Sequence, residues 1–227
     1  MEKSQYDLCL EVLRRLDRAG ILKDVVIVGS WCTLFYKGFF GRIGYLTTLK
    51  TRDMDLLIPE PRSITAKTDV AELLKDLGFL VGFSGQEGFI RLEHPKLIVE
   101  FLVPERGRGT SKPYALPSLG LNAQSLRFLE FLADHAITAE VDKLEIRLPH
   151  PARFALHKLL VMGRRNDPAK KGKDKAAAIQ IIDALMKKDQ GQSLKTTFDA
   201  MPRRWQAKVK KQLTDLSESQ ILSVLEH

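Results

Sequence analysis

The sequence predicts an α+β fold in two parts, a mixed β-sheet with flanking helices and then a helical, basic region. Three observations carry this expectation. Short β-branched runs, Asp24-Val25-Val26-Ile27-Val28 and Leu97-Ile98-Val99-Glu100-Phe101-Leu102-Val103 among them, alternate with amphipathic helical stretches as far as residue 148. Beyond Pro149 and Pro151 the apolar spacing is helical throughout. Charge divides at the same place: residues 151–227 hold 16 Lys and Arg against 8 Asp and Glu, so the whole net charge of +8 belongs to the last third. The sheet-bearing core is placed at residues 1–120 and the mainly helical part at 121–227.

The elements follow in order. Residues 4–19 set Leu8, Val12, Leu13 and Leu16 at helical spacing, and Gly20 ends that helix. Residues 24–28 suit a strand buried on both faces. It stops at Gly29-Ser30, and Trp31 to Tyr36 resumes as a helix, with a loop through Gly38, Gly41 and Gly44. Asp53 to Ile58 reads as the second strand, halted by Pro59 and Pro61. Residues 66–77 carry a helical stripe of Val70, Leu73, Leu74 and Leu77. Strands follow at 79–83 and 89–93 around a Gly-bearing turn, and 97–103 is the strongest strand of all. Residues 104–120 form an irregular connection, 121–140 are ambiguous between helix and strand, and 140–148 alternate as an exposed strand. Helices are predicted at 152–165, 173–187, 193–200, 203–213 and 217–225, with 166–172 as a loop.

Composition excludes several classes. With 227 residues, 44% hydrophobic and 28% charged, the chain can bury a core and is not wholesale disordered. No run of 18 apolar residues offers a membrane span, and the start, Met1-Glu2-Lys3-Ser4, lacks a signal-peptide core. Cys9 and Cys32 fit reduced thiols in a cytoplasmic protein. Leu225-Glu226-His227 looks like the start of a His-tag and is set aside. The one-sided basic segment suggests a polyanionic partner, with solvated Lys-rich helix faces as the alternative.

Three acids interrupt apolar strands. Asp53 and Asp55, two positions apart, put both carboxylates on one face of a strand, close enough together for one hard cation. The alternative is an edge or turn with solvated acids. Glu100 is a lone acid within an apolar run, and an uncompensated carboxylate there is costly, so it needs a metal or an arginine as its partner. Carboxylates on adjacent strands make an oxygen-rich site for Mg²⁺ or Mn²⁺. Gly29-Ser30 turns a strand directly into a helix whose free N–H groups suit phosphate, although Ser30 suits a plain N-cap equally well.

In this order Val28-Gly29-Ser30, Thr51-Arg52-Asp53-Met54-Asp55-Leu56-Leu57-Ile58 and Val99-Glu100-Phe101 resemble the polymerase-β-type nucleotidyltransferase superfamily. The helical half is similar to the AbiE-like toxin nucleotidyltransferases through Leu148-Pro149-His150-Pro151, His157-Lys158-Leu159-Leu160, Arg165 and Lys173-Asp174. The resemblance implies a nucleotidyltransferase-type sheet followed by a helical domain that closes over the nucleotide. It also implies Mg²⁺-dependent transfer of a nucleotidyl group from an NTP to a hydroxyl of RNA or tRNA, protein or a small molecule. Carried over by motif, Gly29 and Ser30 hold the triphosphate, Asp53 and Asp55 bind metal, and Glu100 serves as the third acid. Lys158 contacts phosphate and Asp174 lies near the nucleotide. An antitoxin partner is implied by the toxin-like branch. Two departures stand out: an inserted loop at 39–50, and Glu where Asp is commoner as the third acid. The alternative function is a catalytically degenerate nucleotide- or RNA-binding protein of the same fold. A metal-dependent nuclease is weaker, because no Glu-x-Lys pair follows Asp55.

Among smaller signals, no second His or Cys lies at zinc spacing, and Ser30 has no nucleophile-elbow pattern. His157 is expected on a helix surface, and Trp205 as an anchor for the last helices.

Overall fold

The computed structural model describes residues 3–41, 45, 51–107, 109 and 112–226. It divides into two compact units, Met1–Phe35 with Thr47–Pro149, and Tyr36–Leu46 with His150–His227.

In the first unit, α1 (Lys3–Arg18) buries Cys9, Val12, Leu13 and Leu16 completely, the stripe that its periodicity requires. Its polar side ties down other elements, Arg15 pairing with Asp76 and Arg14 with Asp142. β1 (Val26–Val28) leads into α2 (Trp31–Phe40), which begins in the first unit and ends in the second. Gly38 is therefore helical. Most of the inserted loop expected at 39–50 lies outside the described residues. β2 (Asp53–Leu57) follows.

The helix expected over 66–77 is shorter, α3 (Val70–Leu74). Asp69 accepts from the Glu72 N–H and fixes its start, and the chain then tightens into a 3₁₀ turn over Lys75–Leu77 that ends at Gly78. β3 (Leu80–Ser84), β4 (Phe89–His94), β5 (Leu97–Pro104), β6 (Tyr114–Leu116) and β7 (Leu121–Leu126) complete the main sheet. The strand order is β1-β2-β5-β4-β3, with β7 paired to both β5 and β6. β2 and β7 run parallel to β5 while the other pairs are antiparallel, so the sheet is mixed, as the sequence predicts. β5 is buried at every position except Glu100, which is partly exposed.

Residues 121–149 stay with this first unit. After β7 come α4 (Leu129–Ala133), β8 (Ile137–Val141) and β9 (Leu144–Leu148). The single strand expected over 140–148 is thus the end of one strand and the whole of another. Asp142 and Lys143, both left-handed at φ +50° and +65°, form the two-residue turn that a tight hairpin requires. Leu129 and Leu132 pack with Val26, Val28, Leu57 and Leu102 in one apolar cluster.

The second unit contains α5 (Pro151–Met162), α6 (Pro168–Lys187), α7 (Gly191–Asp199), α8 (Arg203–Asp215) and α9 (Ser219–Glu226). α6 starts inside the stretch expected to be a loop. Asp167 accepts from the Ala169 and Lys170 N–H groups and Pro168 occupies the first turn, so the cap outweighs the Lys/Gly composition. Phe154, Leu156, Leu159, Ile181, Ile182, Leu185, Phe198 and Leu213 form the core of this unit, and Leu225 of α9 is buried with only 2% exposure. Tyr36 meets the Phe154 ring edge-on at 5.6 Å. Among the described residues no helix is long and apolar enough to cross a membrane.

Candidate active site

Strand register brings the acids together. In the parallel β2–β5 pair Asp55 lies opposite Glu100 and Asp53 opposite Ile98. Residues two apart on a strand share a face, and so do register partners on neighbouring strands. Asp53, Asp55 and Glu100 therefore stand on one face of the sheet. The same cross-strand row continues to Val28 of β1 on one side, and to Arg91 and Gly82 of β4 and β3 on the other.

Gly29 follows Val28 directly and turns the chain with φ +74°. A Cβ at this position would collide with Oδ2 of Asp55. Glycine thus allows the left-handed turn and also leaves room for the carboxylate. Ser30 comes next and precedes α2, its carbonyl accepting from the Thr33 hydroxyl at 2.7 Å. Of the predicted residues in this unit, the structure sets Gly29 against Asp55 and gathers Asp53, Asp55 and Glu100 on one face.

The sequence reading did not single out Arg91. Its Nε lies 2.7 Å from Glu100 Oε1, its Nη2 3.7 Å from Asp53 Oδ1, and its Nε 3.9 Å from Glu93 Oε1. An arginine, one of the two partners weighed for Glu100, thus lies beside it. The only hint in the sequence is alternation along β4, where Ile90 and Leu92 are apolar and Arg91 and Glu93 are charged. Which acid Arg91 would meet depends on an antiparallel register that composition does not encode. Among the described residues, no three His, Cys, Asp or Glu groups converge closely enough to hold a metal ion. A depression of about 410 Å³ between α1 and the β8–β9 turn, lined by Arg14, Asp17, Arg18 and Asp142 among others, includes none of these residues.

Lys158 and Asp174 belong to the second unit and contact each other. Lys158 Nζ donates to Asp174 Oδ1 at 2.7 Å, and Arg165 Nε donates to Oδ2 at 2.9 Å. The Asp174 side chain is only 6% exposed and that of Lys158 13%. Burial opposes ionisation of Asp174, but the two cations outweigh it and hold the carboxyl below its usual range.

His157 corrects the expectation of a surface histidine. It is only partly exposed, and its Nε2 is fully enclosed with no hydrogen-bond partner among the described residues. Burial, and then the neighbouring Lys158 cation, push its pKa down to about 3 from 6.5. The imidazole is therefore neutral where an unfolded chain would be protonated. Its contribution is complete above pH 6.5 and is lost as pH falls toward 3. Between pH 6.5 and about 5 it is expected to cost ~2 kcal/mol of stability. Urea unfolding at the two pH values checks this, and a His157→Gln variant should lack that component of the acid sensitivity.

Comparisons with known proteins complete the picture. A family model described as nucleotidyltransferase matches residues 8–202, a span that contains every candidate residue from Gly29 to Asp174. No curated protein matches the chain. The chain is similar to the antibiotic-resistance factor ANT(2″)-Ia in solution, at 14% identity over 97% of this chain and 98% of that one, with a TM-score of 0.47. It is similar also to ANT(2″)-Ia in complex with adenylyl-2″-tobramycin, at 14% identity over 86% and 99%, with a TM-score of 0.45. A third likeness is to an antigenic nucleotidyltransferase-like protein from Paracoccidioides brasiliensis, at 17% identity over 96% and 92%, with a TM-score of 0.49. With most of its length matched by the family model and its acids gathered on one sheet face beside the Gly29 turn, the chain belongs to the nucleotidyltransferase family.

Proposed function

We propose that this nucleotidyltransferase uses a divalent cation, Mg²⁺ or Mn²⁺, to transfer a nucleotidyl group from an NTP such as ATP to a hydroxyl acceptor. The observation that carries the reading is the row in which Asp55 pairs in register with Glu100, with Asp53 on the same face and Gly29 against Asp55. An all-carboxylate donor set suits a hard cation, and such sites commonly complete their coordination with substrate phosphate. Asp53, Asp55 and Glu100 do not close a donor set by themselves and would hold the ion together with substrate phosphate; when bound it neutralises charge developing on the phosphates. The Gly29-Ser30 turn presents the N–H groups at the start of α2 to the triphosphate. Glu100 would accept the proton of the acceptor hydroxyl as its oxygen bonds to phosphorus and pyrophosphate leaves. By the resemblance Lys158, in the second unit, would be a phosphate-contacting lysine, and Asp174 holds its ammonium.

RNA, tRNA included, is the acceptor class that the charge favours over protein or a small molecule. Arg203, Arg204, Lys208 and Lys211 are exposed on α8 and form no ion pair among the described residues. The AbiE-like resemblance supports a toxin role with an antitoxin as protein partner, and the buried thiols of Cys9 and Cys32 support a cytoplasmic location. One observation favours the second reading, binding without turnover: Arg91 already neutralises the third acid.

Calorimetry with the four NTPs, with and without Mg²⁺, followed by assay of pyrophosphate release on an RNA pool, tests the proposal. Metal-dependent NTP binding with pyrophosphate release supports the enzyme, and binding alone supports the degenerate reading. No NTP binding under either condition overturns the enzyme and leaves RNA binding as the only form of the degenerate reading. RNA affinity between about 50 and 200 mM salt should fall with a log–log slope of about −0.7 per phosphate contacted. Undetectable binding at the lower salt removes RNA as the acceptor.

A further inference from the structure

We propose that Arg91 is a resident counter-cation of the acid face, which steadies Glu100 and Asp53 before a divalent cation binds and competes with that cation for them. The inference rests on the metal-dependent reading above and adds a residue to it. Arg91 stands in the same cross-strand row as Glu100 and Asp55. From β4 its guanidinium passes over β5 and comes within 3.7 Å of Asp53 on β2. It thus touches two of the three carboxylates proposed to hold metal, and a positive charge there opposes entry of another.

The arrangement also gives the guanidinium somewhere to go. Gly82, its register partner on β3, has no side chain, and a Cβ there would stand 2.7 Å from the Glu93 carboxyl carbon. The Glu93 carboxylate therefore lies over Gly82, with Oε1 3.9 Å from Arg91 Nε. Arg91 has carboxylates on both sides, Glu93 toward the sheet edge and Glu100 with Asp53 toward the centre. Its Nε approaches Glu100 at 2.7 Å without the alignment of a hydrogen bond. Both side chains are about one-quarter exposed, and a partly exposed ion pair is individually weak. When a divalent cation takes Glu100 and Asp53, the guanidinium can move to Glu93 within the length of its own side chain.

Mn²⁺ titration of the full chain by electron paramagnetic resonance, without nucleotide, tests this. Arg91→Met should bind Mn²⁺ roughly fivefold more tightly than the parent, the scale of one partly exposed ion pair. Arg91→Gln should do the same and serves if the methionine variant fails to fold. Arg91→Lys, which keeps the charge, should stay near the parent. Glu93→Gln removes the alternative perch and should weaken binding about twofold, in the opposite direction. A gain in affinity is not a consequence of damaged folding, so the sign separates competition from a merely structural arginine. Equal or weaker Mn²⁺ binding by both neutral variants overturns the proposal. If Asp55→Asn abolishes binding while the Arg91 variants match the parent, only the role of Arg91 falls. If Asp55→Asn binds Mn²⁺ as the parent does, the metal reading itself fails and the competition with it.

Discussion

Asp55→Asn is expected to lower nucleotidyl transfer by about a hundredfold to a thousandfold, with folding intact. The substitution keeps the size and shape of the side chain and removes its charge, so packing against Gly29 survives. Asp55 stands in the row itself, between Val28 of β1 and Glu100 of β5. Asp53 is more exposed and stands one pleat along, so Asp53→Asn should lose less than Asp55→Asn. NTP affinity with and without Mg²⁺, measured on both variants, separates a lost ligand from a lost fold. Metal-dependent binding equal to the parent's in both would remove the Asp-x-Asp assignment.

The second large effect is on stability. Asp174→Ala is expected to cost about 3 kcal/mol, because it leaves the nearly buried ammonium of Lys158 without its carboxylate. For a chain of 227 residues that corresponds to a fall in Tm of roughly 6–12 °C. The acid dependence has a definite sign. Asp174 titrates below its usual range in the folded state, so its contribution is complete above the ordinary carboxylate pKa of about 3.9 and disappears as pH falls through the lower folded value. This window lies below most of the one set by His157, so the two are separable in a pH series of unfolding curves. Asp174→Asn should lose stability at neutral pH and show a flatter profile below about pH 4. A melting temperature within about 2 °C of the parent would mean that Lys158 and Arg165 are solvated well enough without the acid.

Much of this fold follows from periodicity. The run at 97–103 is apolar at nearly every position because β5 pairs with β2, β4 and β7, and Glu100 stands out within it for the same reason. The Asp-x-Asp pair was legible because alternation along a strand fixes which residues share a face. Other features were set by local geometry that composition hides. The Asp142-Lys143 turn carries neither Gly nor Pro, so the β8–β9 hairpin looked like one strand. Asp167 and Pro168 start α6 within a Lys/Gly stretch that suggested a loop. Arg91 and the burial of His157 were illegible for another reason: each depends on which residue of a distant element lies opposite, and a single sequence states no register.

The parallel pairing of β2 with β5 has a consequence for how the molecule reaches its working state. Asp55 and Glu100 lie opposite each other yet 45 positions apart in the chain. Between them the hairpin of β3 and β4 can zip from its own turn, whereas β2 must close a long loop to find β5. Loop-closure entropy makes such non-local pairing slow, and here it also brings like charges together. Local hairpins and helices therefore have the kinetic advantage, and Asp55 and Glu100 meet only when the least local contact of the sheet has formed. A chain halted short of that docking keeps much of its secondary structure and has no acid row.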